Sequence, residues 1–176
     1  MPKNVEIKAS VPDLPRLLKL AQDLSLKDAT VLVQKDIFYK CHNGRLKLRS
    51  VKSVEKNHSE LIFYERPDQS GPKLSQFHIF PVENADAMDL ILGSSIGRRG
   101  VVAKTRHLFM VGQTRVHVDQ VEGIGDFMEL EVMLDKSQTP EDGAVIAQDL
   151  MEKLCISPSN LITKAYVDLL AEKQQQ

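Results

Sequence analysis

From its fourth residue the chain alternates. Asn4, Glu6 and Lys8 fall on one side of an extended backbone and Val5, Ile7 and Ala9 on the other, which predicts a strand with one apolar face. The period then changes. In "VPDLPRLLKLAQDLS" the residues Leu14, Leu17, Leu18, Ala21 and Leu24 recur at helical spacing, with Asp13 placed to cap the first turn and Pro15 inside it. Strand-like segments follow at "TVLVQKDIFYK", "GRLKLRS", "ELIFYER" and "LSQFHIFPV". Asn43-Gly44 predicts a tight hairpin pairing the first two, and "PDQSGPK" reads as a loop before the last. "ENADAMDLILGSS" predicts a helix carrying Ala87, Met88, Ile91 and Leu92.

The second half repeats the scheme. "VVAKTRHLFMV", "TRVHVDQVE" and "DFMELEVML" predict three strands joined by "GQ" and "GIG". "TPEDGAVIAQDLMEKL" predicts an amphipathic helix with Thr139 as N-cap, Pro140 first, and Glu141 and Asp142 in the first turn. "NLITKAYVDLLAE" predicts a short C-terminal helix, and residues 173–176 a frayed tail. About eight strands with short turns and three or four helices predict an α+β fold. Its antiparallel sheet is closed or nearly closed into a β-barrel, in a single domain over residues 1–172.

Composition narrows the function. A chain of 176 residues can bury its own core. Its net charge of −1 gives no global attraction to nucleic acid or to anionic membranes. The N-terminal "MPKNVEIKAS" lacks the apolar segment of a signal peptide, and no run is long and apolar enough to span a membrane. Cys41 and Cys155 match no metal or redox spacing and are read as free thiols, which predicts a cytoplasmic protein.

The polar strand faces carry the candidate chemistry. They present Glu6 and Lys8, then Arg45, Lys47 and Arg49, then Lys104 and Arg106, then Arg115, His117 and Asp119, and finally Glu129 and Glu131 beside Phe127 and Met133. Like charges two apart on one sheet face repel. Their recurrence predicts counter-ions, an anion beside the cations and a metal beside the acids, and it predicts that deleting one cation leaves the empty protein no less stable. If the sheet closes, these faces line a lumen that holds one small ligand. Arg and Lys suit a compact polyanion. The carboxylates of Glu6, Asp119, Glu129 and Glu131 are hard ligands suited to Mg²⁺ or Mn²⁺ rather than Zn²⁺.

The segments "NVEIKA", "QKDIFY", "GRLKLR", "YERPDQSGPK", "GRRGVVAKTRHLFMVGQTRVHVDQVEGIGDFMELEV" and "ITKAY", in this order, resemble the triphosphate tunnel metalloenzymes, or CYTH proteins. The likeness is greatest to the class IV adenylyl cyclase-like branch, and relatives include thiamine triphosphatases. It implies a closed barrel that holds a triphosphate inside, with acids binding one or two divalent ions. The family's N-terminal Glu-x-Glu-x-Lys reads Asn4, Glu6 and Lys8 here, so one acid is missing and the number of metal ions stays open. The resemblance makes Glu6 a metal ligand with Asp119, Glu129 and Glu131, and Lys8 a catalytic or phosphate-binding base. It assigns phosphate to Lys8, Arg45, Lys47, Arg49, Lys104, Arg106, Arg115 and Lys164, and also to Arg66 and Lys73. Strand alternation puts Glu65 and Arg66 on opposite faces. Where relatives carry an inward acid, this chain offers Gln76 and His78, of which His78 is read as a hydrogen-bonding residue. His117 is read as tunnel-lining, and Phe38 and Tyr39 as core.

The implied activity is that of an adenylyl cyclase, ATP to cyclic AMP and pyrophosphate. A phosphohydrolase of tripolyphosphate, nucleoside triphosphates or thiamine triphosphate is the alternative, and a non-catalytic binder of phosphorylated ligands is a third. No nucleic-acid or membrane partner is expected, and a homodimer is left open.

Overall fold

The computed structural model describes residues 3–176; Met1 and Pro2, at the start of the span read as one domain, lie outside the described residues. Its elements are β1 (Lys3–Ser10), α1 (Leu14–Ser25), β2 (Thr30–Tyr39), β3 (Arg45–Lys52), β4 (His58–Glu65), β5 (Lys73–Val82), α2 (Ala85–Ser95), β6 (Arg98–Val111), β7 (Thr114–Val121), β8 (Gly125–Met133), α3 (Pro140–Lys153) and α4 (Tyr166–Gln174), with a short 3₁₀ turn at Pro158–Asn160. The strands pair antiparallel in the order β1-β5-β4-β3-β2-β6-β7-β8. β8 returns to β1, so the sheet closes into an eight-stranded barrel.

Closure leaves the apolar strand faces on the outside of one wall, where they need cover. Ile7, Ala9, Val116, Val118, Met128 and Leu130 point outward and are buried by Leu17 and Ala21 of α1 and by Leu150 and Met151 of α3. Both helices start as the sequence predicts. The Asp13 side chain accepts from the Arg16 amide, and Thr139 and Asp142 form a reciprocal capping box. Gly143 lets α3 approach the barrel, because a Cβ there would lie 2.7 Å from Leu134 and Val5 side-chain atoms. On the opposite wall α2 contributes Ala85, Met88 and Leu92 to a smaller cluster with Tyr39 and Leu48, while Ile91 of the predicted stripe is exposed.

Three local expectations change. Residues 40–44 separate β2 from β3, so Asn43-Gly44 ends a longer loop rather than forming a two-residue turn. Gly44 is still required there, with φ +58° and a Cβ position 2.6 Å from the Tyr64 carbonyl oxygen. The C-terminal helix begins at Tyr166, not near Asn160. Leu161 instead bridges to Ala9, and the Ile162 amide donates to the Lys8 carbonyl at 2.9 Å. The helix also continues through Gln174, into the segment expected to fray.

Candidate active site in the barrel lumen

Strand alternation turns most of the predicted charged faces inward, around a cavity of about 400 Å³. Seven basic side chains line it (Lys8, Lys47, Arg49, Arg66, Lys104, Arg106 and Arg115) with five acidic ones (Glu6, Asp36, Glu60, Glu129 and Glu131). The C-terminal segment covers one end, where Ala165, Tyr166 and Val167 pack on Phe38, Val102, Val121 and Phe127. The other end is open, and its rim residues Ile79 and Arg115 are exposed.

The cations already have partners. Asp36 accepts from Arg49 Nε and Nη2, both at 2.7 Å, and from Lys47 Nζ at 3.0 Å. Arg106 grips Asp119 through two bonds of 2.7 and 2.6 Å and reaches Glu129 at 3.0 Å. Lys8 meets Glu129 at 3.1 Å, and Arg66 meets Glu6 at 3.0 Å. The repulsion inferred from the sequence is thus relieved by the protein's own carboxylates, and the expectation that a cation could be deleted without loss of stability is withdrawn.

Burial sets the electrostatics. It would raise the Asp36 carboxyl, but Arg49, Lys47 and Lys104 outweigh it and hold the group well below its ordinary range. Asp119 is treated alike by Arg106 and Lys104 and falls to about 2. Glu6 goes the other way: burial raises it, against the pull of Arg66 and with the push of Glu131 and Glu129. Burial lowers the Lys8 ammonium despite Glu129. It lowers Lys47 to about 8 with help from Arg49, and Lys104 to about 7 with help from Arg106.

Not every predicted residue reaches the lumen wall. Asp119 has 0% exposure and lies behind Arg106, where it also accepts from the Tyr166 hydroxyl at 2.9 Å. Arg45 leaves the cavity for Asp68 and Asp168, at 2.9 and 3.5 Å. Lys73 is buried on the inward face of β5 but donates to the Gln69 carbonyl at 3.0 Å. Lys164 pairs with Glu172 outside the barrel. Glu65 is exposed, on the face opposite its inward neighbours Tyr64 and Arg66. On β5 the inward residues are Ser75, Phe77 and Ile79, so Gln76 and His78 face outward and offer nothing to the site. Tyr39 also faces outward, donating to Asp89, while Phe38 lies in the cavity wall with Lys47 Nζ 5.5 Å from its ring centre.

Two residues not singled out from the sequence matter here. Asp36 is the counter-ion of three cations, and its signal was its inward parity with Gln34 and Phe38 in β2. Tyr166, inside "ITKAY", closes the lumen and has Lys8 Nζ 4.0 Å from its ring centre. Among the described residues, His117, Glu129 and Glu131 form a donor set that would hold a divalent ion, with ligand atoms within 4.8 Å of one another. Glu6 is the register partner of Glu131. The buried His117 Nδ1 and the Asn4 and Gln34 side-chain oxygens make no hydrogen bond among the described residues. These residues fit a metal ion.

A closed antiparallel barrel with cations and a carboxylate pair in its lumen defines a class, and comparison with known proteins gives its family. The CYTH domain model matches residues 2–166, and the chain belongs to that family. Adenylate cyclase CyaB of Aeromonas hydrophila is 35% identical over 98 residues, 54% of this chain and 51% of that protein, so the match spans about half of that relative. The structure of the PH1012 protein of Pyrococcus horikoshii superposes with a TM-score of 0.78 at 22% identity, covering 95% of this chain and 99% of the other. A Hippeastrum adenylyl cyclase candidate with a dominant triphosphatase activity superposes at 0.64 and 14% identity, covering 96% and 95%. Among the described residues no helix is long and apolar enough to cross a membrane.

Proposed function

We propose that this chain is a divalent-metal-dependent enzyme acting on triphosphates, and that it cyclises ATP to cyclic AMP and pyrophosphate. One observation carries the reading: a single lumen joins the buried Lys8, Lys104 and Arg106 and the half-buried Lys47 and Arg49 to the Glu129/Glu131 pair. Cations so placed neutralise charge on a leaving phosphate. A bound Mg²⁺ or Mn²⁺ supplies further neutralisation at the phosphate oxygens. The ribose 3′-oxygen attacks the α-phosphorus, the bond to the bridging oxygen breaks, and pyrophosphate leaves. Lys8 takes the hydroxyl proton as the neutral amine, the form that burial favours.

The wall supports an organic triphosphate entering phosphate-first. Along β4 the inward residues run His58, Glu60, Ile62 and Tyr64 from the open rim to the covered end, with Arg66 next. Leu32, Val51, Ile79 and Leu108 line the open half, and the Asn4 and Gln34 side-chain oxygens, which make no hydrogen bond among the described residues, face the lumen. Hydrolysis of the terminal phosphate is the second reading, favoured by the cations, which can hold a bare chain of three phosphates unaided.

One incubation discriminates between them. ATP, tripolyphosphate and thiamine triphosphate are each supplied with Mg²⁺ or Mn²⁺, and the products are resolved. Cyclic AMP with pyrophosphate is the expected result, lost with excess chelator. Orthophosphate from ATP and tripolyphosphate alike establishes the hydrolase. Tight binding without product leaves a binding module, and full activity in chelator refutes the metal.

A further inference from the structure

The family resemblance implies an all-carboxylate metal site. The structure points to a mixed one: we propose that His117 binds the divalent ion through Nδ1 beside Glu129 and Glu131, and that the site selects transition ions such as Mn²⁺ over Mg²⁺. This rests on the metal-dependent reading given above.

His117 sits on β7 as the register partner of Glu129 on β8, so both side chains leave the sheet side by side into the lumen. Its Nδ1 is 3.7 Å from Glu129 Oε2 and 3.9 Å from Glu131 Oε1. The residue is 4% exposed, yet this nitrogen makes no hydrogen bond among the described residues. A buried imidazole nitrogen without a partner is costly unless something fills the place. An ion drawn in between the three groups would shorten both distances together. The carboxylates retain capacity for it. Glu129 is held by Lys8 and Arg106 through one oxygen each, and Glu131, apart from His117, meets Arg115 at 3.7 Å. A carboxylate oxygen has two lone-pair sites, so neither acid is saturated. One nitrogen among oxygens moves the preference along the divalent series. Mg²⁺ demands oxygen ligands, whereas imidazole suits the later ions.

Electron paramagnetic resonance tests this on the full-length protein. Mn²⁺ is added alone and then with tripolyphosphate, and its electron spin-echo modulation is recorded. Coupling to a directly bound ¹⁴N is expected, replaced by ¹⁵N coupling in protein made with ¹⁵N-histidine, and absent in His117→Gln. Mg²⁺ should displace half the Mn²⁺ only at an excess of about tenfold or more. Bound Mn²⁺ without nitrogen coupling, coupling that survives His117→Gln, equal competition by Mg²⁺, or no Mn²⁺ binding each overturns the proposal. The labelled wild-type protein shows whether the ligand is a histidine even if the variant fails to fold, and His58→Gln separates His117 from the other lumen histidine. Turnover without nitrogen coupling sinks this inference and spares the enzyme. Coupling without turnover does the reverse.

Discussion

Asp36 on β2 and Arg49 on β3 are register partners joined by two hydrogen bonds of 2.7 Å, and they turn a row of like charges into a buried ion network. The same carboxylate takes Lys47 at 3.0 Å and lies 3.9 Å from Lys104. It occupies the place of an anion in the empty protein. Asp36→Asn should therefore cost about 3–5 kcal/mol of stability by leaving buried cations uncompensated. It should also tighten tripolyphosphate binding, since the ligand no longer competes with an internal anion. Urea denaturation with and without tripolyphosphate reads both effects. Unchanged midpoints in the empty variant would show that Asp36 is not the counter-ion.

Arg49 and Arg45 part company for the same reason. Arg49→Ala removes a lumen cation and should weaken triphosphate binding at least about tenfold, or about 1.4 kcal/mol, the low end for a charge-assisted bond. It should also destabilise the empty protein. Arg45 is engaged with Asp68 and Asp168 outside the cavity, so Arg45→Ala should leave affinity within about threefold. Titration calorimetry on the two variants separates the cases, and equal losses would place Arg45 on the phosphate after all.

How legible the site is depends on what covers the outside of each strand. On β1, β7 and β8 helices α1 and α3 cover the outer face, so apolar residues face out to them and charges face in, and alternation gives the parity directly. β5 has no such cover over His78 and Phe80, which are exposed. Polar residues there face solvent and apolar Phe77 and Ile79 face the lumen, which reverses the signal. Asp36 escaped because repeated like charges were the clue and it is a lone acid. The late start of α4 was illegible locally, since pairing of Leu161 and Ile162 with β1, more than 150 residues away, outweighs a helical pattern.

The buried lysines make binding pH-dependent. Lys104 falls from an ordinary 10.5 to about 7 through burial and then Arg106. The unfolded chain thus binds a proton that the empty fold does not between those values, and the empty protein gains stability as pH rises through that window. A bound polyanion favours the charged amine and raises its pKa again, so binding takes up a proton above about pH 7. Affinity for tripolyphosphate should then fall as pH rises from about 7 to 9. Calorimetry in buffers of different ionisation enthalpy should find proton uptake at pH 8.5 and none from this group at pH 6. The difference between wild type and Lys104→Met cancels the ligand's own protons, and no difference would remove Lys104 from the site.

The apolar part of the lumen wall should distinguish an organic triphosphate from a bare one. The sequence alone marks no residue as a reader of the base, and on that ground tripolyphosphate would bind at least as tightly as ATP. The structure adds a surface that alternation had hidden. Phe77 points inward from β5 beside its register partner Tyr64, with Ile79 one inward position nearer the rim. An aromatic base–ring contact is worth about 1–3 kcal/mol by alanine substitution. If the base lies against this ring, Phe77→Ala should weaken ATP by about tenfold or more while leaving tripolyphosphate within about twofold, since Phe77 offers a ring and no charge to the phosphates. Competition calorimetry with both ligands on both proteins gives the four affinities. Parallel losses for the two ligands would mean that Phe77 supports the barrel rather than the ligand. No loss for either would place the organic group elsewhere and return the preference to the phosphate chain alone.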